Sequence, residues 1–120
     1  MAAHALLSED GRRFKPAAVR RFLASLERRT RTLPAAVVAD TTAALTHARR
    51  LRDDGLRARL LRARGHALRA LARYPAALAD YRRAISLYEK LGERDEAAKS
   101  RIGLVDALMY LGRYEPARVE

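Results

Sequence analysis

The feature that most constrains this chain is an internal repeat with a period of 40 residues. When the sequence of 120 residues is shifted by 40 places, small and apolar residues superimpose over much of its length. The matches include Asp40 with Asp80, Ala44 with Ala84, Leu45 with Ile85, Leu51 with Leu91, Ala58 with Ala98, Leu68 with Leu108, and Tyr74 with Tyr114. A two-helix unit of this length cannot bury its apolar face alone, so the repeat predicts stacked helix hairpins.

Proline, glycine and paired acids divide the repeat into helices. We expect helices to begin at Pro16 and Pro34, because proline suits the first turn of a helix. A break at 53–55 leads into a third helix that stops before Tyr74 and Pro75. The remaining boundaries are a fourth helix that ends at Gly92, a fifth from about Asp95 to Leu111 that Gly112 ends, and a sixth from Glu115 and Pro116.

The composition predicts an all-α fold. Hydrophobic residues make up 49% of the chain and aromatic residues only 6%, and no β-branched or aromatic run alternates as a strand would. We therefore expect about three antiparallel helix hairpins stacked in a right-handed solenoid, with the last hairpin truncated. Residues 1–12 are expected to be a lead-in with little order, followed by one repeat domain at 13–120. Its repeats are expected at 16–53, 54–92 and 93–120.

The positive charge of the chain is concentrated in its N-terminal part. Residues 1–73 carry 16 arginines and one lysine against six acids, which accounts for the whole formal charge of +11. Such asymmetry predicts an anionic partner for this part of the chain. Arginines that only solvate helix faces would give the same composition, so the charge alone does not establish a partner.

Nothing in the sequence predicts export or insertion into a membrane. The N-terminus lacks a basic segment followed by a long apolar stretch, and no apolar run is long enough to cross a bilayer. The absence of cysteine excludes disulfides and thiolate chemistry within the chain. We therefore expect a soluble, cytoplasmic protein with no membrane partner.

The sequence shows no catalytic or metal-binding pattern. His4, His47 and His66 lack a second ligand at helical spacing, and Arg62 and Arg69 on either side of His66 would repel a cation. The acids at 53–54 and 93–96 lie at helix starts, where capping explains them. No serine has a nucleophile context, and no glycine-rich loop is present to hold a phosphate. We therefore expect that the chain is not an enzyme and has no catalytic residue, metal or cofactor.

One part of the chain resembles the tetratricopeptide repeat (TPR). The resemblance rests on the spacing of Gly65, Tyr74, Ala77, Tyr81 and Ala84, and it continues one period later at Gly112, Tyr114 and Ala117. It is clear for residues 58–91, good for 92–117 and faint before residue 57. In that family small residues mark the closest helix contacts, so the resemblance implies that Gly65 and Ala84 let two helices approach while Tyr74 fills the turn.

The period of 40 residues exceeds the TPR period of about 34. The stretch 88–117 is similar to the long repeats of bacterial regulatory proteins, in particular the arrays that precede a CHAT domain, a caspase-like protease module. That resemblance implies that this chain is the sensing or docking portion of a larger regulatory protein. No CHAT domain is present in residues 1–120.

The TPR resemblance also implies where a partner would bind. In the family, the first helix of each hairpin lines a concave groove. Counted from Ala58, the groove positions are Arg59, Arg62, His66 and Arg69, followed in the next repeat by Lys99, Ile102, Asp106 and Met109. His66 replaces the asparagine usual at its position. The implied ligand is an acidic peptide or domain whose carboxylates bind Arg62 and Arg69.

Two functions from different classes remain open at this point. The first is a protein–protein interaction scaffold that docks a partner in this groove. The second is an electrostatic binder of nucleic acid or another polyanion, because arginine-rich helices can follow phosphates by charge alone. A truncated sixth helix would also leave the fifth uncovered, so we expect the chain to self-associate, swap its end or rely on a following segment.

Overall fold

The computed structural model describes residues 3–119, and the side chains of residues 3–112. This part of the chain is all-helical, which confirms the all-α prediction, and its only β pairing is an isolated bridge between Leu7 and Phe14. A short 3-10 helix at Ala3–Leu6 precedes five α-helices. These are α1 (Pro16–Arg29), α2 (Pro34–Arg50), α3 (Asp54–Ala70), α4 (Tyr74–Lys90) and α5 (Arg94–Val119).

The helix starts follow the sequence signals. α1 and α2 each have proline in the first turn, at Pro16 and Pro34, and α4 has Pro75 there. α3 is capped by Asp53, whose carboxylate accepts a hydrogen bond from the backbone N–H of Leu56 at 3.0 Å. Proline has no N–H to leave unpaired, and the Asp53 cap pairs one of the orphan donors of α3.

The three turns that follow α2, α3 and α4 have the same geometry. Each has one residue with a left-handed backbone, namely Arg52 (φ 55°), Ala72 (φ 58°) and Gly92 (φ 74°). The next residue in each turn donates its N–H to a carbonyl five residues back, which is the Schellman closure. Only the third turn has the glycine that this backbone favours, and the sequence predicted the other two breaks from the acids at 53–54 and from Pro75.

The helices from α2 to α5 pack in sequence order. α2 packs against α3, α3 against α4, and α4 against α5. α3 also contacts α5, and α1 contacts α3, whereas no Cα atoms of α2 and α4 approach within 8 Å in these fully described helices. The odd-numbered helices therefore lie side by side, which brings the residues expected to line a groove onto neighbouring helices.

The lead-in packs on the core, contrary to the expectation of little order. Leu6 is fully buried, and its carbonyl accepts a hydrogen bond from the N–H of Lys15 at 2.8 Å. The N–H of Ser8 donates to the carbonyl of Arg13 at 2.8 Å, which closes a small loop. Turn-forming residues at 8–11 were expected to leave this segment loose, but the apolar side chains on both sides of the loop fix it to α1 and α2.

A buried ion pair ties three helices together. The guanidinium of Arg64 on α3 donates two hydrogen bonds to the carboxylate of Asp80 on α4, at 2.7 and 3.0 Å. A third nitrogen of Arg64 donates to the hydroxyl of Thr42 on α2 at 3.1 Å. Asp80 is only 2% exposed, so its charge is tolerated because the bidentate geometry satisfies both oxygens.

The expected end of the fifth helix is wrong. α5 continues through Gly112 to Val119, and no sixth helix forms in the described backbone. Gly112 stands one half-period after the turn residue Gly92, but glycine permits a left-handed turn without requiring one. The side chains of Tyr114 and Ala117, which completed the expected repeat signature, lie outside the described residues.

The structure also refines the role expected for Gly65. The ring of Tyr81 on α4 lies between Gly65 on α3 and Gly103 on α5. A Cβ atom at Gly65 would lie 3.0 Å from this ring, and one at Gly103 would lie 2.6 Å from it. Gly65 therefore accommodates an aromatic side chain, whereas the sequence had suggested a direct approach of two backbones.

We expect Gly103→Ala to lower the free energy of unfolding by about 1–3 kcal/mol through overpacking against Tyr81. Gly112→Ala is the matched control on the same helix, because no heavy atom lies within 4 Å of the added Cβ. Alanine favours helix by up to about 1 kcal/mol over glycine, so the control should be neutral or stabilised. Urea denaturation measures both variants, and equal effects would contradict the packing of Tyr81.

Candidate functional site

The residues expected to line a groove lie on α3 and α5, and several of them form ion pairs that join these two helices. Arg62 on α3 forms a 2.6 Å ion pair with Glu96 on α5, and its guanidinium lies 5.3 Å above the ring centre of Tyr88. Lys99 contacts the other oxygen of Glu96 at 3.4 Å. The hydrogen bond from Arg62 is the main cause that lowers the pKa of Glu96, so this carboxylate stays charged.

One turn further along α3, His66 contacts the buried ring of Tyr81. Its Nδ1 lies 2.7 Å from the hydroxyl of Tyr81, and the two rings meet edge to face with centroids 5.3 Å apart. Burial, followed by the charges of Arg69 and Arg62, lowers the pKa of His66 to about 4. Burial likewise raises the pKa of Tyr81 to about 12. Both groups are therefore neutral near pH 7.

Arg69 completes the α3 row. It forms a 3.3 Å ion pair with Asp106 on α5, next to a small hollow of about 280 Å³ that Met109 and Tyr110 also line. The ring of Tyr110 stacks on the ring of Tyr74 with centroids 5.7 Å apart, so Tyr74 at the start of α4 contacts α5. Ile102 and Met109, the apolar groove positions, are more than half exposed.

Arg62, His66 and Arg69 therefore lie beside Glu96 and Asp106, a surface that we call the α3–α5 face, and carboxylates of α5 neutralise most of its arginines. Arg62 and Arg69 each face a carboxylate of α5, and only Arg59 of the four α3 positions is exposed without an ion pair among the described side chains. Sequence reasoning included Asp106 but missed Glu96 and Tyr88. Their spacing across two helices of adjacent repeats gave no local signal that would find them.

The cations without an ion pair lie elsewhere. Among the described side chains, most of these arginines belong to residues 12–59, from the lead-in through α1 and α2 to the start of α3. The acids at 80–106 are in contrast mostly paired. The positive charge is therefore concentrated in the N-terminal part of the structure as well as of the sequence. Most of the arginines described there have no ion-pair partner, and we call the surface they form the N-terminal surface.

The described residues contain no cluster of three or more histidine and acidic side chains that could hold a metal ion. No helix in the described part of the chain is long and apolar enough to span a bilayer. The histidine and tyrosine of the α3–α5 face share one hydrogen bond, and no described serine or threonine joins them. The arrangement can bind charged groups, and it shows no nucleophile paired with a base.

Comparison with known proteins identifies no relative: no protein-family model, curated protein or solved structure matches this chain.

The pKa of His66 predicts a pH dependence of stability. The unfolded chain binds a proton at this histidine as the pH falls below 6.5, whereas the folded chain binds it only near 4. The folded state is therefore fully favoured above pH 6.5 and loses stability as the pH falls toward 4. We expect this group to remove about 2 kcal/mol between pH 7 and pH 5.

Urea denaturation at the two pH values tests this expectation. His66→Gln should lose much less stability on acidification than the wild type, while His4→Gln, a change at an exposed position, should keep the wild-type loss. If all three proteins respond equally, His66 is not held neutral by burial.

Proposed function

We propose that this chain is a non-catalytic, TPR-like docking module that binds an acidic peptide or domain of a partner protein. Three observations support the proposal: the repeated helix and turn units, the side-by-side placement of α1, α3 and α5, and the unneutralised cations of residues 12–59. The last of these carries it, because a surface with many unpaired arginines attracts carboxylates and selects against basic partners. The proposed function is therefore recognition of an acidic protein surface.

Two surfaces are available to such a partner. On the α3–α5 face, a ligand carboxylate would compete with Glu96 and Asp106 for Arg62 and Arg69. On the N-terminal surface it would meet arginines with no competing carboxylate. A ligand carboxylate on the α3–α5 face must first displace Glu96 or Asp106, which reduces the binding free energy. The N-terminal arginines therefore bind an external acid more strongly.

The alternative function, binding of nucleic acid or another polyanion, is favoured by the same arginines and by the charge of +11. The two functions differ in salt dependence. Binding to DNA by phosphate contacts alone weakens steeply with salt, because condensed counterions are released. Binding to a protein that also buries apolar surface keeps more of its affinity at physiological ionic strength.

A titration with two labelled probes distinguishes these functions. The probes are an acidic, leucine-containing peptide and a random-sequence DNA duplex, measured by fluorescence anisotropy across a series of salt concentrations. We expect saturable peptide binding that persists at physiological salt, and DNA binding that disappears there. Preferential retention of DNA, with no peptide binding, would refute the proposal in favour of the polyanion function.

Variants place the peptide on one of the two surfaces. Arg62→Ala with Arg69→Ala removes the groove cations and releases Glu96 and Asp106, so a partner in the groove would lose affinity sharply. A peptide bound at the N-terminal surface would lose little. Both changes also break ion pairs between α3 and α5, so the melting temperature of the double variant is compared with that of the wild type as a control for folding.

We also propose that a second copy of the chain covers the exposed apolar side chains of α5. Ile102, Val105, Leu108 and Met109 are 42–65% exposed there, and they form the main cluster of exposed large apolar side chains in the described residues. A contiguous apolar helix face of this kind is typical of an interaction surface. Within the described residues this face is uncovered, because the chain continues as α5 where the sequence predicted a sixth helix.

Sedimentation velocity over a range of concentrations tests this association. We expect the wild type to dimerise and Val105→Glu with Met109→Glu to stay monomeric with an unchanged helical spectrum. Ala76→Glu with Ser86→Glu, at two exposed positions on α4, adds the same negative charge away from this face and serves as the control. A wild type that remains monomeric at the highest concentration would contradict the proposal.

A further inference from the structure

A cleft of about 650 Å³ opens between the lead-in, α1 and the start of α3. Its floor is apolar and is formed by Phe14, Val19, Leu23 and Leu56. Its rim is basic and is formed by Arg12, Arg13, Arg20 and Arg59. The volume lies within the range of about 300–1,000 Å³ typical of ligand pockets.

The charges around this cleft are unbalanced. All four rim arginines are exposed, and none forms an ion pair or a side-chain hydrogen bond within the described residues. The one acid in the lining is Asp53, whose carboxylate already accepts the N–H of Leu56 at the start of α3. The cleft therefore combines four exposed positive charges and one carboxylate with apolar surface.

The repeat explains why this site differs from the α3–α5 face. Shifted by 40 residues, Arg62 corresponds to Phe22 and Glu96 corresponds to Leu56. The ion pair that bridges α3 and α5 is thus replaced between α1 and α3 by two buried apolar residues. Among the described side chains no ion pair joins α1 to α3, so the arginines on either side of this junction are left without carboxylates.

We propose that this cleft is the docking site for an acidic amphipathic helix of a partner protein. Apolar side chains of that helix would pack on the floor, and its carboxylates would bind the rim arginines by charge-assisted hydrogen bonds. The inference rests on the proposed function and names its surface. An apolar floor inside a basic rim fits a protein ligand better than a nucleic acid. A phosphate backbone would bind the rim arginines but has no apolar side chain to pack on the floor.

The test uses two fluorescein-labelled peptides of about 18 residues, long enough to form an amphipathic helix. One places leucines at i, i+3, i+4 and i+7 on one face with glutamates elsewhere, and the other has the same composition with the leucines scattered. Each is titrated at physiological salt against the wild type and against Arg20→Glu with Arg59→Glu. The matched control is Arg31→Glu with Arg82→Glu, two exposed arginines outside the cleft that carry the same change in net charge.

We expect the patterned peptide to bind at least about tenfold more tightly than the scattered one, which corresponds to about 1.4 kcal/mol. The cleft reversal should weaken it by at least about tenfold, and the control reversal by no more than about threefold. Val19→Ser, which alters the floor and leaves the charge unchanged, should weaken the patterned peptide selectively. Circular dichroism of every variant checks that the helices are intact.

Other outcomes overturn the inference in distinguishable ways. Equal weakening by both charge reversals would show attraction by net charge without a site. If the cleft variants bind normally while Arg62→Ala with Arg69→Ala does not, the partner docks on the α3–α5 face and the proposed function survives without this cleft. If neither peptide binds and DNA does, the cleft and the proposed function both fail.

Discussion

The packing of α3, α4 and α5 depends on one aromatic ring. Tyr81 is fully buried between Gly65 and Gly103, where a Cβ atom at Gly103 would clash with the ring and one at Gly65 would contact it tightly. Its hydroxyl then reaches His66 at 2.7 Å, which fixes the orientation of the imidazole within the row of arginines. A single core contact therefore sets both the spacing of α3 and α5 and the geometry of the face they share.

The contact between α1 and α3 and the contact between α3 and α5 are stabilised by different interactions. Between α3 and α5, the pairs Arg62–Glu96 and Arg69–Asp106 cross from helix to helix over buried tyrosines. Between α1 and α3, apolar residues take the equivalent positions and the surrounding arginines stay exposed. The two contacts therefore differ in charge: ion pairs neutralise the face between α3 and α5, whereas the arginines around α1 stay positive.

The sequence predicted the helices well because helix starts and apolar spacing are local signals. Pro16, Pro34 and Asp53 each act on their own turn, so they could be interpreted without tertiary information. The pairing of Arg62 with Glu96 could not be predicted in this way. The two residues are 34 positions apart in the chain, and they meet only because of the relative rotation of α3 and α5. Gly112 shows the opposite failure: a local turn signal that the structure leaves unused within a continuous helix.

The sparse packing of α1 has a consequence for how the molecule opens. α1 makes far fewer contacts with its neighbours than α3 makes with α4, although all belong to the same repeat pattern. A helix held this loosely exchanges its amide hydrogens through local opening, well before the whole chain unfolds. Any ligand that bridges α1 to α3 would slow that exchange. Binding at the N-terminal end would then be measured as slower amide exchange in α1, with the exchange rates of α3 to α5 unchanged.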